Sequence, residues 1–282
     1  MGSPVKQDHI NRDAASLADV QAFWDANPLF VGESAFEPGS KAFFEEHLAL
    51  YRKDVFAGRM DNWFFPPRKD AKILDVGCGI GLWLAELGLR GYQDISAIDL
   101  SPRSVALAKQ RCALYGLTAN IAVGNAEQLD FPDNSFDHVN CYGVVHHTPS
   151  PETAMREIFR VLKPGGTASI AVYYKNIVLR NWGTFSLLLR PFSIGLRGRG
   201  REGMSQSSDA QELIRLYDGK DNPIGLGYTR EEAQALVAPF VIEDEYLHFF
   251  PARALRLTPS GPLHKAADRL LPFMIGLSLK KP

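Results

Sequence analysis

The stretch from Lys72 to Gly81, Lys-Ile-Leu-Asp-Val-Gly-Cys-Gly-Ile-Gly, constrains this chain more than any other. An apolar run of strand character meets three alternate glycines, and from Leu82 the apolar residues recur with helical spacing. Glycine can take φ > 0, and it leaves main-chain N–H groups open to a ligand that a Cβ would shield. A strand, turn and helix of this kind reads as the first unit of a nucleotide-binding α/β fold.

The glycine spacing separates two cofactor classes. A dinucleotide fingerprint counted from Gly77 and Gly79 needs its third glycine where Leu82 stands, and a leucine there obstructs close helix–strand packing. An NAD(P)-dependent oxidoreductase therefore becomes the rival reading, together with a cofactor-binding protein that does not turn over. Asp75-x-Gly77-x-Gly79-x-Gly81 instead resembles the first motif of class I S-adenosylmethionine-dependent methyltransferases, whose turn cradles the amino-acid end of the cofactor. The resemblance puts Asp75, Gly77, Cys78, Gly79 and Gly81 at the cofactor.

Beyond the turn, strands and helices alternate. The patterns predict strands at 72–76, 95–99, 120–123, 136–142, 167–174, 240–250 and 274–280, with helices at 82–90, 102–115, 151–162, 229–238 and 263–271. Lys163-Pro164-Gly165-Gly166 reads as a turn. The expectation is α/β: a doubly wound, mainly parallel sheet with ligands outside the carboxyl ends of its strands. The resemblance implies seven strands, the last antiparallel. The chain divides into an N-terminal helical cap (1–70), a cofactor-binding core (71–174), an insertion or lid (175–228) and a C-terminal part of the sheet (229–282).

Three further segments carry the resemblance, while Asp99 supports a nucleoside without choosing between the two cofactor classes. Asp99 ends the second strand about 20 residues after the glycine turn, where a carboxylate can accept both ribose hydroxyls, with Leu100 beside it. Gly124-Asn125-Ala126-Glu127-Gln128-Leu129-Asp130-Phe131-Pro132 resembles the family segment G-D-A-x-x-L-P-F, in which the acid accepts from the adenine amino group; here Asn125 offers a neutral acceptor. Gly143-Val144-Val145-His146-His147-Thr148 and Arg160 to Thr167 resemble the next two motifs of the small-molecule, type 11-like group. Asn125, Ala126, Glu127 and Tyr142 thereby join the expected cofactor contacts.

The family's cofactor supplies a methyl group already made electrophilic by its sulfonium, leaving S-adenosylhomocysteine as product. The protein must hold an acceptor in line and exclude water. His146 and His147 are the candidates for taking a proton from the acceptor, and Tyr173 for orienting it. No metal is expected. The acceptor is expected to be a small or lipid-like molecule methylated at oxygen or carbon. Nucleic acid is disfavoured by a formal net charge of −1, and by Cys141-Tyr142-Gly143-Val144 in place of the N/D-P-P-Y/F segment of base methyltransferases.

The flanks supply the expected acceptor walls. Phe23 and Trp24, in a segment resembling the family's F-W-x-x-x-P, face Trp182, Phe185 and Tyr228 from the insertion. Arg180 and Arg190 interrupt that insertion's apolar run, so a membrane span is not expected. Arg197, Arg199 and Arg201 leave peripheral contact with anionic lipid open. Cys78, Cys112 and Cys141 are far apart, and the first residues lack a signal-peptide apolar run, so a cytoplasmic protein is expected.

Overall fold

The computed structural model describes residues 15–58, 60, 64–189, 207, 209–252, 258 and 261–282. Among the described residues, eight strands form one sheet: β1 (Ile73–Val76), β2 (Ile95–Asp99), β3 (Asn120–Val123), β4 (Phe136–Tyr142), β5 (Leu162–Tyr174), β6 (Gly227–Tyr228), β7 (Val241–His248) and β8 (Met274–Lys280). The order is β3-β2-β1-β4-β5-β8-β7, with β6 paired to β5. All pairs are parallel except those of β8, which runs antiparallel to both β5 and β7. Every residue of β1 is buried, as a central parallel strand covered on both faces requires.

Helices cover the sheet on both sides. Ile158 and Val161 of α5 (Pro151–Val161) and Leu236 of α9 (Arg230–Leu236) pack with Leu74, Val139 and Ile170. On the opposite face Leu84 and Leu87 of α3 (Leu82–Leu89), with Val105 and Ala108 of α4 (Pro102–Tyr115), pack with Ile73 and Ile95. The alternation of Ile73 and Leu74 between these two cores is the two-residue strand period made visible. Ser101 caps α4, its hydroxyl accepting the Ser104 amide at 3.0 Å; Pro102 opens the helix and Gly116, at φ +64°, ends it.

The remaining described helices are α1 (Leu17–Ala26), α2 (Lys41–Asp54), α6 (Ile177–Arg180), α7 (Trp182–Leu189), α8 (Ala210–Leu216) and α10 (Pro262–Leu270). Arg190, Arg197, Arg199 and Arg201 lie outside the described residues.

Two expectations change. The described residues form eight strands where seven were expected. β4 pairs with β5 as far as Tyr142 opposite Ala171, and the two-residue β6 then pairs at Tyr173 and Tyr174. A pair of residues has no alternation to read. Lys163 to Gly166 is part of β5 rather than a turn. Gly165, at φ +74°, donates its amide to Lys281 O at 2.9 Å, and Gly166 O accepts the Lys281 amide at 2.8 Å. The register shifts there, between Phe136 opposite Leu162 and His138 opposite Thr167, so the glycines form a bulge.

Candidate active site

A cavity of about 570 Å³ opens at the carboxyl ends of β1, β2, β4 and β5. Gly77, Cys78, Gly79, Asp99, Asn125 and Ala126 line one half, and Leu100 lies beside them. The turn after β1 is tied to β2 by the Gly77 and Cys78 amides, which donate to Ile98 O at 2.8 and 2.9 Å. Two glycines there answer to different neighbours. At Gly77, φ +72°, a Cβ would lie 2.3 Å from a Val144 methyl, whereas at Gly79, φ +52°, it would point into open space. Gly77 is needed by the protein, and Gly79 keeps the cavity wall open to a ligand.

Asp99 closes this half. Its Oδ2 accepts the Gly79 amide at 2.8 Å and its Oδ1 the Ser101 amide at 2.9 Å. Each oxygen retains a lone pair for a ligand hydroxyl. Burial pushes this carboxyl up, and the two amides act against that shift. Asn125 Oδ1 accepts the Glu127 amide at 2.9 Å, so one lone pair of the expected adenine acceptor holds its own turn. A glycine turn open at Gly79, a carboxylate able to take two hydroxyls and an amide side chain on one wall fit S-adenosylmethionine.

The other half is lined by His147, Tyr173, Tyr217, Asp218, Phe249 and Met274, with Tyr142 between the halves. The Tyr142 hydroxyl donates to Nε2 of His248, whose Nδ1 donates to Val55 O at 3.1 Å. Burial holds the Tyr142 phenol well above its ordinary range. α1 clasps both halves. Gln21 donates to Leu100 O at 2.9 Å, and Asp25 Oδ1 accepts from the Ser101 hydroxyl and the Arg103 amide, each at 2.8 Å. That docking sets Trp24 edge-on to His147, with ring centroids 5.0 Å apart.

Several expected site residues lie off the cavity wall. Asp75 is buried beneath the turn against Asn140, and burial raises its carboxyl to about 7. Gly81 caps α3, and Glu127 accepts the Ser150 amide at 2.6 Å. His146 is enclosed between the rings of His147 and Tyr173, at 4.2 and 4.1 Å, and burial keeps it neutral. Phe23 packs edge-on against Trp24. Trp182 donates to Ser207 O at 2.8 Å, and neither it, Phe185 nor the buried Tyr228 reaches the cavity. Of the five expected acceptor walls, only Trp24 lines it.

In their place stand residues the sequence did not offer. His47 and Tyr51, four apart on α2, line the cavity; an i, i+4 spacing signals one helix face, but not the direction that face takes. Asp218 follows α8 in the insertion, and no motif marks it.

Residues 74–170 match the family described as methyltransferase domain, so this stretch of the chain is a methyltransferase domain. It is similar to a ubiquinone biosynthesis O-methyltransferase of Paramagnetospirillum magneticum, 32% identical over 54% of this chain and 58% of that protein. A 2-methyl-6-phytyl-1,4-hydroquinone methyltransferase of rice is 37% identical over 35% of this chain and 30% of that protein. The chain thus spans less than two thirds of either relative's length. The fold is shared with a solved SAM-dependent methyltransferase from Methanosarcina mazei, at TM-score 0.54 and 22% identity over 76% of this chain and 93% of that one.

Proposed function

We propose that this protein moves a methyl group from S-adenosylmethionine to an oxygen or carbon of a small or lipid-like molecule in the cytoplasm, by in-line displacement. One observation carries the reading: a single cavity runs from Gly79 and Asp99 to His147 and Tyr173. The sulfonium supplies the electrophilic methyl group. The chain's part is to place it. The open face of the turn at Gly79 and the Asp99 carboxylate fix one end of the cofactor, while Trp24, Tyr142 and Phe249 form a wall that excludes water from the acceptor half. The relatives' names, for quinone and hydroquinone substrates, support a ring-bearing acceptor.

Calorimetric titration of the full chain with S-adenosylhomocysteine and with NADH tests the reading. Binding of the first and not the second is expected, followed by transfer of an isotope-labelled methyl group to acceptors of the proposed class. Preference for NADH would return the oxidoreductase reading. Binding of S-adenosylhomocysteine without transfer to any acceptor would favour a non-catalytic role.

A further inference from the structure

The acceptor half holds a proton-taking arrangement. Asp218 is 5% exposed, and its two oxygens accept the Tyr173 hydroxyl at 2.8 and 3.0 Å. His147 Nδ1 lies 2.7 Å from Ile224 O. A carbonyl oxygen only accepts, so this nitrogen carries the hydrogen, and the tautomer it selects has its lone pair at Nε2. Nε2 is 3.5 Å from Asp218 Oδ2, and both residues line the cavity. Resting on the methyltransferase reading, we propose that His147, supported by Asp218, takes the proton of a phenolic or enolic hydroxyl on the acceptor, and that the oxygen so deprotonated receives the methyl group.

The surroundings suit each role. Burial and the neighbouring Asp218 charge hold the Tyr173 phenol well above its ordinary range, so it stays a donor and fixes the carboxylate. His146, kept neutral by burial, adds no charge against a proton arriving on His147. Tyr217 and Tyr51 are the other titratable groups near Tyr173, and no lysine or arginine among the described residues lines the cavity. The spacing is set by backbone, because the segment supplying Ile224 is also tied to the histidine turn by the Leu226 amide donating to His146 O at 2.9 Å.

An acceptor without an acidic proton would make no use of this pair. A phenol or enol lies far closer in pKa to an imidazole than an aliphatic alcohol does, which favours it as the group deprotonated ahead of transfer. Tyr217 and Phe249 add aromatic surface to the wall against which a planar acceptor can pack. The step balances: the acceptor oxygen bonds the methyl carbon, the carbon–sulfur bond breaks with its electron pair returning to sulfur, and the proton passes from the oxygen to Nε2. The imidazolium then has Asp218 as its counter-ion.

The test uses full-length protein loaded with S-adenosylhomocysteine and titrated with 4-nitrocatechol, whose phenolate absorbs in the visible. The bound probe should be half-ionised at least about one pH unit below the free probe, tenfold in the ionisation equilibrium. ¹⁵N spectra should show Nε2 of His147 gaining the proton. Asp218→Asn, whose side-chain carbonyl still accepts from Tyr173, and His147→Gln should each abolish the shift while S-adenosylhomocysteine binding persists. The wild-type spectra stand by themselves if a variant does not fold. A probe that binds neutral, does not bind, or ionises equally in folded Asp218→Asn overturns the proposal. Failure of wild-type protein to bind S-adenosylhomocysteine overturns the methyltransferase reading instead.

Discussion

The Asn140 side-chain amide donates to Asp75 Oδ1 across 2.6 Å, fully buried beneath the turn that ends β1. Burial, the larger effect, raises the Asp75 carboxyl to about 7, although the Asn140 bond favours the charged form. Between about pH 4 and pH 7 the folded state therefore holds a proton that the unfolded state has lost. Stability falls as pH rises through that window. Replacing Asp75 with Asn should flatten this slope and stabilise the protein above pH 7 by roughly 3–5 kcal/mol. Urea unfolding of both proteins at pH 5 and pH 8 checks it; a parallel pH dependence in the two would show that Asp75 does not carry the effect.

Asp99 both supports the turn, through the Gly79 and Ser101 amides, and faces the cavity. Asp99→Ala should weaken S-adenosylhomocysteine by roughly 2–4 kcal/mol, the scale of two hydrogen bonds to a charged group. Calorimetry on a variant shown to be folded by circular dichroism measures this, and unchanged affinity would mean the cofactor lies elsewhere.

Two glycines of one turn should fail in different ways. Gly77→Ala drives a methyl group into Val144 and should cost at least about 2 kcal/mol of folding stability. Gly79→Ala meets no neighbour, so its folding cost should stay near the roughly 1–2 kcal/mol of a left-handed residue, while its methyl intrudes on the ligand side. Thermal unfolding should separate the first, and S-adenosylhomocysteine affinity the second.

Trp24 meets His147 edge-on, while Gln21 and Asp25 hold α1 independently of it. Trp24→Ala should lower kcat/KM by about tenfold, roughly the 1.4 kcal/mol of one aromatic contact, with cofactor affinity moving much less. Equal losses in both quantities would assign Trp24 to the cofactor instead.

The sequence by itself determined the parts set by local chemistry. β2, β3, β4 and β8 span the expected residues, because apolar runs bounded by Gly, Pro and Asp leave the backbone little choice, and α4 begins and ends at its Ser-Pro and Gly signals. The glycine turn, Asp99 and Asn125 share one edge because parallel topology puts every strand's carboxyl end there. The acceptor half obeys no local rule. Trp182 and Phe185 are apolar in the expected segment yet do not line the cavity, and Asp218, an acid that no motif marks in sequence, becomes a partner of Tyr173 and His147 across 45 and 71 residues of chain. Only the packing of the segment around α8 against the histidine turn brings them together. Buried polar groups must find partners wherever the fold supplies them, and sequence spacing does not encode that supply.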